Sequence, residues 1–242
     1  MPLSSSITAV SRLAPPDIDR MFDLHRRYYD NLDRRRFLLD LGEKQWVILL
    51  RNAPDEIAGF STVQTFRTEI DGSPHAILFS GDTVVAQRHR QHSTLAGSFC
   101  HFMVRMLDIH RGVPCHWLLL SKGYRTYRFL PLYFKIFYPT FRTSTPSQYQ
   151  RLMDGICRTK FGDYYNASTG ILQFGGNRDY LNADVCAADM MRSADRHVRF
   201  YLERNPGFRR GDELVCLADI SYGNFGRHIF RALERTRVSW NE

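Results

Sequence analysis

Apolar and polar positions alternate along the first third of the chain in a pattern that is typical of β-strands. Three apolar runs predict three consecutive strands: "QWVILLR" at 45–51, "IAGFSTVQTFRTEI" at 57–70 and "HAILFSGDTVV" at 75–85. The segments between them, "NAPDE" and "DGSP", are rich in turn-forming residues. We therefore predict that these strands form a hairpin meander.

Helical spacing of apolar residues predicts helices on both sides of this meander. Two short helices are predicted before it, at 14–31 and 32–44. After the meander, the apolar residues that share one helical face are Leu95, Phe99, Phe102, Met103, Met106 and Leu107. Ser93 or Thr94 is suited to cap the start of this helix, and Gly112 is suited to end it.

The rest of the chain predicts further strands and helices. "PCHWLLLS" at 114–121 indicates a buried strand, and the aromatic-rich segment 124–139 is predicted to be a helix that Pro131 starts or kinks. The later segments are a polar connector at 140–150, a strand at 170–176, a helix at 186–207, a strand at 212–220 and a helix at 223–237. This order predicts an α/β (α+β) layered domain with a mixed sheet flanked by helices.

The charge of the chain favours polyanionic partners. The net charge is +8 and the isoelectric point is near 9.4, which suits phosphorylated cofactors, acidic carrier proteins or nucleic acid. An effect of codon composition is the alternative, because nearly all of the 33 basic residues are arginine. No basic run is longer than Arg34–Arg36, so no tail that wraps DNA is predicted.

Several classes of protein are disfavoured by the motifs that the sequence lacks. Five scattered cysteines without a CxxC pair fit a reducing compartment, and the histidines form no HxH or HExxH pattern, so no metal site is expected. Neither GxGxxG nor GxxxxGK[ST] occurs. We expect no signal peptide and no membrane span, because the longest apolar stretch, 129–141, is too short. The expected location is cytoplasmic.

Three motifs, in order and at similar spacing, resemble the GCN5-related N-acetyltransferase (GNAT) superfamily. "IAGF" at 57–60 is similar to the family's V-G-F, and "VAQRHRQHSTL" at 85–95 lies where the family has V-x-P-x-x-R-x-x-G-x-G. "LYFKIFY" at 132–138 is similar to L-Y-x-K-x-G-F. The resemblance implies a GNAT-like acyltransferase core at 1–140, with a mostly antiparallel sheet. Residues 141–242 are then an extension that completes the sheet and walls the substrate pocket.

The resemblance also implies a donor site at the loop before the 95–107 helix. In the family, backbone amides of this loop and the helix N-terminus bind the pyrophosphate of acyl-CoA, because unpaired amides and the helix dipole attract anions. Val85 matches the family's valine and Arg90 its basic residue, whereas Ser93 and Leu95 stand where the glycines usually are. The residues implied to bind the cofactor are Val84, Val85, Arg90, Gln91, His92, Ser93, Thr94 and Ser121.

Two residues are the candidates for acid–base chemistry. Asp82 is the only carboxylate on its strand, near the place where family members often carry the base; a strand-end aspartate paired with arginine is the alternative. Tyr133 matches the family tyrosine that protonates the departing thiolate, and packing in an aromatic core is its alternative. Ser121, Lys122 and Tyr124 are candidate contacts to substrate or pantetheine.

The implied function is acyl transfer from a phosphopantetheine thioester to an amine or hydroxyl of a small molecule or peptide, without a metal. The donor is acyl-CoA or an acyl carrier protein, and the positive charge together with the missing glycines leans toward the acidic carrier. A tRNA-borne donor has less support. The alternative is a non-catalytic or repurposed GNAT-fold protein that binds a polyanionic ligand or partner.

Overall fold

A computed structural model gives the structure of the protein, and it describes residues 3–53, 56–90, 92–185 and 194–242. The helices are α1 (Pro15–Arg26), α2 (Arg34–Gly42), α3 (Thr94–Ile109), α4 (Tyr124–Tyr127), α5 (Phe129–Tyr133), α6 (Ser147–Phe161), α7 (Arg196–Arg204) and α8 (Arg227–Arg235). The strands are β1 (Ser4–Ala9), β2 (Tyr29–Asp30), β3 (Trp46–Ala53), β4 (Glu56–Ile70), β5 (Ser73–Val85), β6 (Cys115–Ser121), β7 (Tyr165–Asn166), β8 (Ile171–Leu172), β9 (Tyr180–Leu181), β10 (Glu213–Ile220) and β11 (Ser239–Asn241).

Within the described residues, nine strands form one mixed sheet in the order β11-β1-β3-β4-β5-β6-β10-β8-β7. Most neighbouring pairs are antiparallel, while β5 and β6 run parallel because α3 carries the chain from one to the other, and β1 and β11 are also parallel. The predicted mixed, mostly antiparallel sheet flanked by helices is therefore confirmed. The short strands β2 and β9 pair separately.

The meander predicted from the alternating pattern is present as β3, β4 and β5. A two-residue turn at Asp71 and Gly72 joins β4 to β5, and both residues have positive φ angles, 52° and 73°. Positive φ at both central residues is the geometry that matches the twist of a hairpin, and Asp-Gly is one of the sequences that adopts it. The turn therefore sets the register in which Ile70 pairs with Ser73.

Helices cover both faces of the sheet because neighbouring residues of each strand point to opposite faces. On one face, Leu78 of β5 packs in the same core cluster as Phe99 of α3. On the other face, Phe79 packs with Ile156 of α6, and Met21 of α1 packs over the neighbouring strands β3 and β4. We refer to these as the α3 face and the α1/α6 face. Among the described residues, no helix is both long enough and apolar enough to cross a bilayer.

The prediction of a single helix at 124–139 is wrong beyond Tyr133. The segment forms the two short helices α4 and α5, and then an extended stretch in which Phe134 and Tyr138 bridge to Phe225 and Leu217. Pro131 explains the break, because it has no N–H with which to continue a hydrogen-bonded helix from α4.

The chain beyond residue 140 contributes to the same sheet. β10 lies beside β6, and β11 pairs with β1 at the far edge. The connector predicted at 140–150 is shorter than expected, since α6 begins at Ser147. A helix was predicted at 186–207, and its second half corresponds to α7. Residues 186–193 lie outside the described residues. The division of the chain at residue 140 stays a prediction.

The contact between α3 and α8 leaves no space for a side chain at Gly97. A Cβ there would collide with Thr236 Oγ1, and Thr236 is buried just beyond the end of α8. We expect Gly97→Ala to lower the free energy of unfolding by about 1–3 kcal/mol, the usual cost of overpacking. Urea denaturation followed by circular dichroism measures it. Gly42→Ala is the matched control, because a Cβ at Gly42 has no neighbour within 4 Å; equal effects of the two changes would contradict the argument.

Candidate active site

The sheet opens between β5 and β6. Their pairing ends at Ser80 and Leu119, whereas β5 stays paired with β4 as far as Val85. From Gly81 onward, the edge of β5 that faces β6 is therefore not paired with that strand.

A β-bulge in β5 lies at the same place. Gly81 and Asp82 together oppose the single residue Thr62, since Ser61 pairs with Thr83 and Val63 with Ser80. Glycine is required at 81 because a Cβ would collide with Thr62 Oγ1 and would lie 3.0 Å from Lys44 Cε. The extra residue turns the side chain of Asp82 toward α1, where its Oδ2 lies 3.9 Å from His25 Nδ1.

A cavity of about 180 Å³ lies on the α1/α6 face of the sheet at this opening. Its wall is formed by the bulge in β5, the ends of β6 and β10, helices α1, α2 and α6, and the segment before β9. The pairing of β2 with β9 holds that last segment beside the end of α1. Most side chains that line the cavity are polar or charged.

Lys122 is the centre of a buried ion cluster in the cavity wall. Its Nζ lies 2.8 Å from Asp179 Oδ2 and 3.3 Å from Glu213 Oε1, and the three side chains are only 14%, 11% and 13% exposed. Burial alone would lower the pKa of Lys122, but the two carboxylates outweigh it, so the pKa is raised and the ammonium stays charged.

The pKa values of the two carboxylates of this cluster are shifted in opposite directions. Burial would raise the pKa of Asp179, but Lys122 and His25 outweigh it and hold that pKa below the usual value. Burial raises the pKa of Glu213, and Lys122 only partly offsets this. Asp179 is therefore the permanent counter-ion of Lys122, and Glu213 is the carboxyl that takes up a proton more readily.

His25 is a buried base between two carboxylates. The residue is 1% exposed, and its Nε2 lies 3.7 Å from Asp179 Oδ2. Its Nδ1 faces Asp82 and has no hydrogen-bond partner among the residues that the structure describes. Burial lowers the pKa of His25 more than Asp82 and Asp179 raise it. The imidazole is therefore neutral near pH 7, with one buried nitrogen left for a ligand or a water molecule.

The start of α3 has the form of an anion site without a side-chain cap. Ser93 stands at the N-cap but makes no capping hydrogen bond. Leu95, which occupies a glycine position of the family motif, is 4% exposed and packs in the core on the α3 face. Its side chain therefore points away from the open end of the helix, where the first backbone N–H groups have no intrahelical partner.

The other residues predicted in this loop have different surroundings. Val84 is buried beneath α1 and Val85 is partly buried. Arg90 donates from Nε to the Val85 carbonyl oxygen at 3.1 Å, and its guanidinium stacks 4.4 Å from the Tyr28 ring centroid, so it braces the loop. His92 is exposed, Thr94 is half-buried, and Gln91 lies outside the described residues.

Tyr133 and Ser121 lie apart from Asp82. Tyr133 packs on the α3 face against Phe129, with ring centroids 5.9 Å apart, and burial raises its pKa to about 12. Ser121 is fully buried with its Oγ 3.9 Å from Cys216 Sγ. The structure thus brings Asp82 and Lys122 to one cavity, and it sets Tyr133 on the other side of the sheet.

Sequence reasoning did not identify several residues of the cavity. His25, Asp179 and Glu213 come from α1, from the segment before β9 and from the start of β10, and no motif surrounds them. His25 has only its place on the buried face of α1 as a signal, which core histidines share. In the described part of the chain, no group of three or more His, Cys, Asp or Glu side chains is arranged to hold a metal ion.

Comparison with known proteins gives matches among solved structures only. No protein-family model and no curated protein matches the sequence. A conserved protein of unknown function from Enterococcus faecalis V583, described as a probable N-acyltransferase, matches with a TM-score of 0.40 and 14% identity, over 52% of this chain and 31% of that one. A GCN5-related N-acetyltransferase from Kribbella flavida matches with a TM-score of 0.40 and 14% identity, over 56% and 34%.

A third match is a GNAT family N-acetyltransferase from Escherichia coli that was solved in complex with CoA. Its TM-score is 0.38 at 14% identity, and the match covers 53% of this chain and 69% of that one. The present chain thus spans about a third of the length of the first two proteins. The last two matches carry the name of the superfamily that the three sequence motifs resemble.

The ion cluster gives a prediction about stability. Lys122→Met leaves Asp179 and Glu213 without their cation in a buried site, so we expect it to lower the free energy of unfolding by about 3–5 kcal/mol. Glu213→Gln should have a much smaller effect, because burial already favours the neutral form of that carboxyl. Urea denaturation at pH 7 measures both. Lys135→Met, at a lysine outside the cavity, is the control; a larger loss for Glu213→Gln than for Lys122→Met would contradict this assignment.

Proposed function

We propose that the protein transfers an acyl group from a phosphopantetheine thioester to an amine or hydroxyl acceptor. The observation that carries the proposal is the opening between β5 and β6. There a bulge directs the side chain of Asp82 toward a cavity, and the same cavity holds the Nδ1 of His25, which has no partner among the described residues. In this proposal, the thioester and the acceptor meet at the opening from opposite faces of the sheet. The three sequence motifs provide independent support.

On the α3 face, the start of α3 is the proposed site for the phosphate groups of the donor. Its N-terminal amides lack a side-chain cap, and Leu95 lies in the core rather than at the mouth. Serine at position 93 offers a hydroxyl as well as its amide. These features fit acyl-CoA, and they also fit the single phosphate of a protein-borne pantetheine.

A surface next to Tyr133 favours a protein-borne donor. Tyr222 and Phe230 are 58% and 44% exposed, and the rings of both pack against the ring of Phe225. Phe225 lies at the end of the loop that contacts α5. Arg227 and Arg231 are exposed on the same helix as Phe230. An apolar patch with a basic rim suits an acidic acyl carrier protein, and this fits the net charge of +8.

On the α1/α6 face, Asp82 and His25 are the proposed base. The amine or hydroxyl of the acceptor would contact both the carboxylate and Nδ1, which are 3.9 Å apart, from the cavity side and lose its proton to this pair. The proton then rests on His25, where Asp82 and Asp179 on either side stabilise the imidazolium. The thioester supplies the acyl group.

Tyr133 is the proposed acid for the departing thiolate. Burial raises its pKa to about 12, so the phenol carries its proton across the physiological range. Its position on the α3 face is the donor side of the sheet in this proposal. The acid and the base would therefore act from opposite faces of the opening.

Donor binding tests the proposed function. We expect calorimetric titration to detect binding of acetyl-CoA, of a phosphopantetheine-loaded acyl carrier protein, or of both. Binding of the loaded carrier but not of CoA would select the protein-borne donor. The apo carrier and an equally acidic protein without pantetheine are the controls, together with bulk tRNA for non-specific polyanion binding. Absence of any pantetheine-dependent binding would overturn the proposal.

Acid and base variants should affect different parts of the kinetics. Tyr133→Phe should lower kcat by roughly 10²–10⁴-fold and leave donor affinity unchanged, because it removes only a proton donor. In the wild type, kcat/KM should fall as the pH drops below about 6.5 and His25 takes up a proton, since its folded pKa lies below 6.5. His25→Gln should have low activity and lack that acidic limb. An unchanged rate for Tyr133→Phe would remove it as the acid.

A further inference from the structure

The charges that line the cavity are divided between two ends. The end near β6 and β10 holds the carboxyl groups of Asp82, Asp179 and Glu213, and Lys122 forms ion pairs with the last two, so carboxyl groups outnumber the lysine there. Arg178 also acts on Glu213, but its guanidinium is paired with Asp40. The end between α2 and α6 has the opposite balance. We propose that the acceptor is a small zwitterion, whose amino group lies at the Asp82 end and whose carboxylate or other anionic group is bound by Lys44 and Lys160. This inference rests on the proposed function.

Lysine is placed selectively in this protein. The sequence has four lysines among 33 basic residues, and three of them, Lys44, Lys122 and Lys160, line this one cavity. Lysine carries a compact point charge on a flexible stem and can therefore approach a small anion closely. Elsewhere on the chain, arginine is the usual basic residue. The charge of Lys122 is balanced by its ion pairs with Asp179 and Glu213. The charges of Lys44 and Lys160 have no such balance in the part of the chain that the structure describes.

The ammonium groups of Lys44 and Lys160 lie over the same aromatic ring. They are 5.5 Å and 5.1 Å from the centroid of Phe79. Lys160 is also within 5.8 Å of the Phe66 and Phe161 centroids. Aromatic faces attract a cation but do not neutralise it, so two like charges share a largely apolar corner of the cavity.

Each of these lysines makes one hydrogen bond within the described residues. Lys44 donates to the carbonyl oxygen of Asp40 at 3.0 Å, and Lys160 donates to Gln64 Oε1 at 2.6 Å. Because an ammonium has three donors, most of their capacity remains for another acceptor. Both are well buried: Lys44 is 9% exposed as a residue, and the Lys160 side chain is 18% exposed.

The nearby carboxylates do not balance this end. Asp40 accepts from Arg178 at 2.6 Å, so its charge is already paired. Glu43 is 60% exposed and lies 3.9 Å from Lys160. Burial, followed by Lys44, lowers the pKa of Lys160. Three cations, Lys44, Lys160 and Arg178, therefore face the two carboxylates of Asp40 and Glu43. An anion bound between the two lysines would reduce the repulsion between their ammonium groups and would offset the cost of burying them.

The opposite end suits an ammonium for complementary reasons. Asp82 and Asp179 flank the neutral His25, whose Nδ1 is buried without a partner. An amino group held there is beside the proposed base. The cavity, at about 180 Å³, is smaller than the roughly 300–1,000 Å³ pockets that take drug-sized ligands. It therefore favours an amino acid-like molecule over a polypeptide surface.

Binding of ω-amino acids of graded length to the wild-type protein tests the inference without any variant. The probes are glycine, β-alanine, 4-aminobutanoate and 6-aminohexanoate, each compared by calorimetry or ligand-observed NMR with its methyl ester and its N-acetyl derivative. We expect at least one free amino acid to bind about tenfold to a hundredfold more tightly than both of its derivatives, the range for losing a charge-assisted contact. Esters that bind as well as the acids, or no binding by any probe, would overturn it.

Lysine variants then locate the anion site. Lys160→Gln and Lys44→Gln should each weaken the best probe about tenfold and remove its preference over the methyl ester. Lys135 is the fourth lysine and lies outside the cavity, so Lys135→Gln should leave both the affinity for the probe and the preference over the ester unchanged. Equal effects at Lys135 and Lys160 would contradict the assignment.

The result is separable from the proposed function. Donor binding without selective binding of any amino acid would overturn the zwitterionic acceptor and leave acyl transfer standing. Selective binding of an amino acid without binding of any pantetheine donor would overturn acyl transfer and support the two-ended site by itself.

Discussion

Past Ser80, β5 keeps its pairing with β4 and loses its pairing with β6, and the extra residue of the bulge falls at this point. A strand edge left open inside a sheet has to be covered or used. Here the opening becomes the cavity, and Gly81 allows Lys44 and Thr62 to approach the backbone at the bulge. The side-chain direction of Asp82 and the shape of the cavity both follow from this departure from regular pairing.

Buried charge is the second feature that defines the site, and its arrangement is unlike that of a purely structural ion pair. Lys122 and Asp179 neutralise each other, whereas burial raises the pKa of Glu213 and lowers the pKa of His25. A buried polar atom without a partner is costly and calls for an explanation. Four such atoms occur among the described residues, on His25, His89, His197 and Asn205, and the Nδ1 of His25 is the one of them that lies at the cavity.

The sequence-based prediction succeeded where local chemistry decides the structure. Alternating strands and the Asp71–Gly72 turn predicted the meander, and helical periodicity predicted α3. It was wrong where one residue outweighed a pattern, as when Pro131 divided an aromatic segment. Strand β1 and the short edge strand β11 were not predicted, because β11 depends on pairing between the two ends of the chain and no strong apolar alternation marks either segment. Leu95 has a core position that motif comparison could not reveal.

The sequence by itself determined the strand order of the meander, the amphipathic α3, the positive charge and the location of Asp82 near a strand end. Only the tertiary structure decided which charges meet. His25 and Lys160 come from α1 and α6, Lys44 comes from the segment between α2 and β3, and Asp179 and Glu213 come from the last third of the chain. The protonation and partners of these groups depend on burial and on distances between residues far apart in sequence. Local pattern contains no information about either, because both arise only when the sheet and its covering helices are assembled.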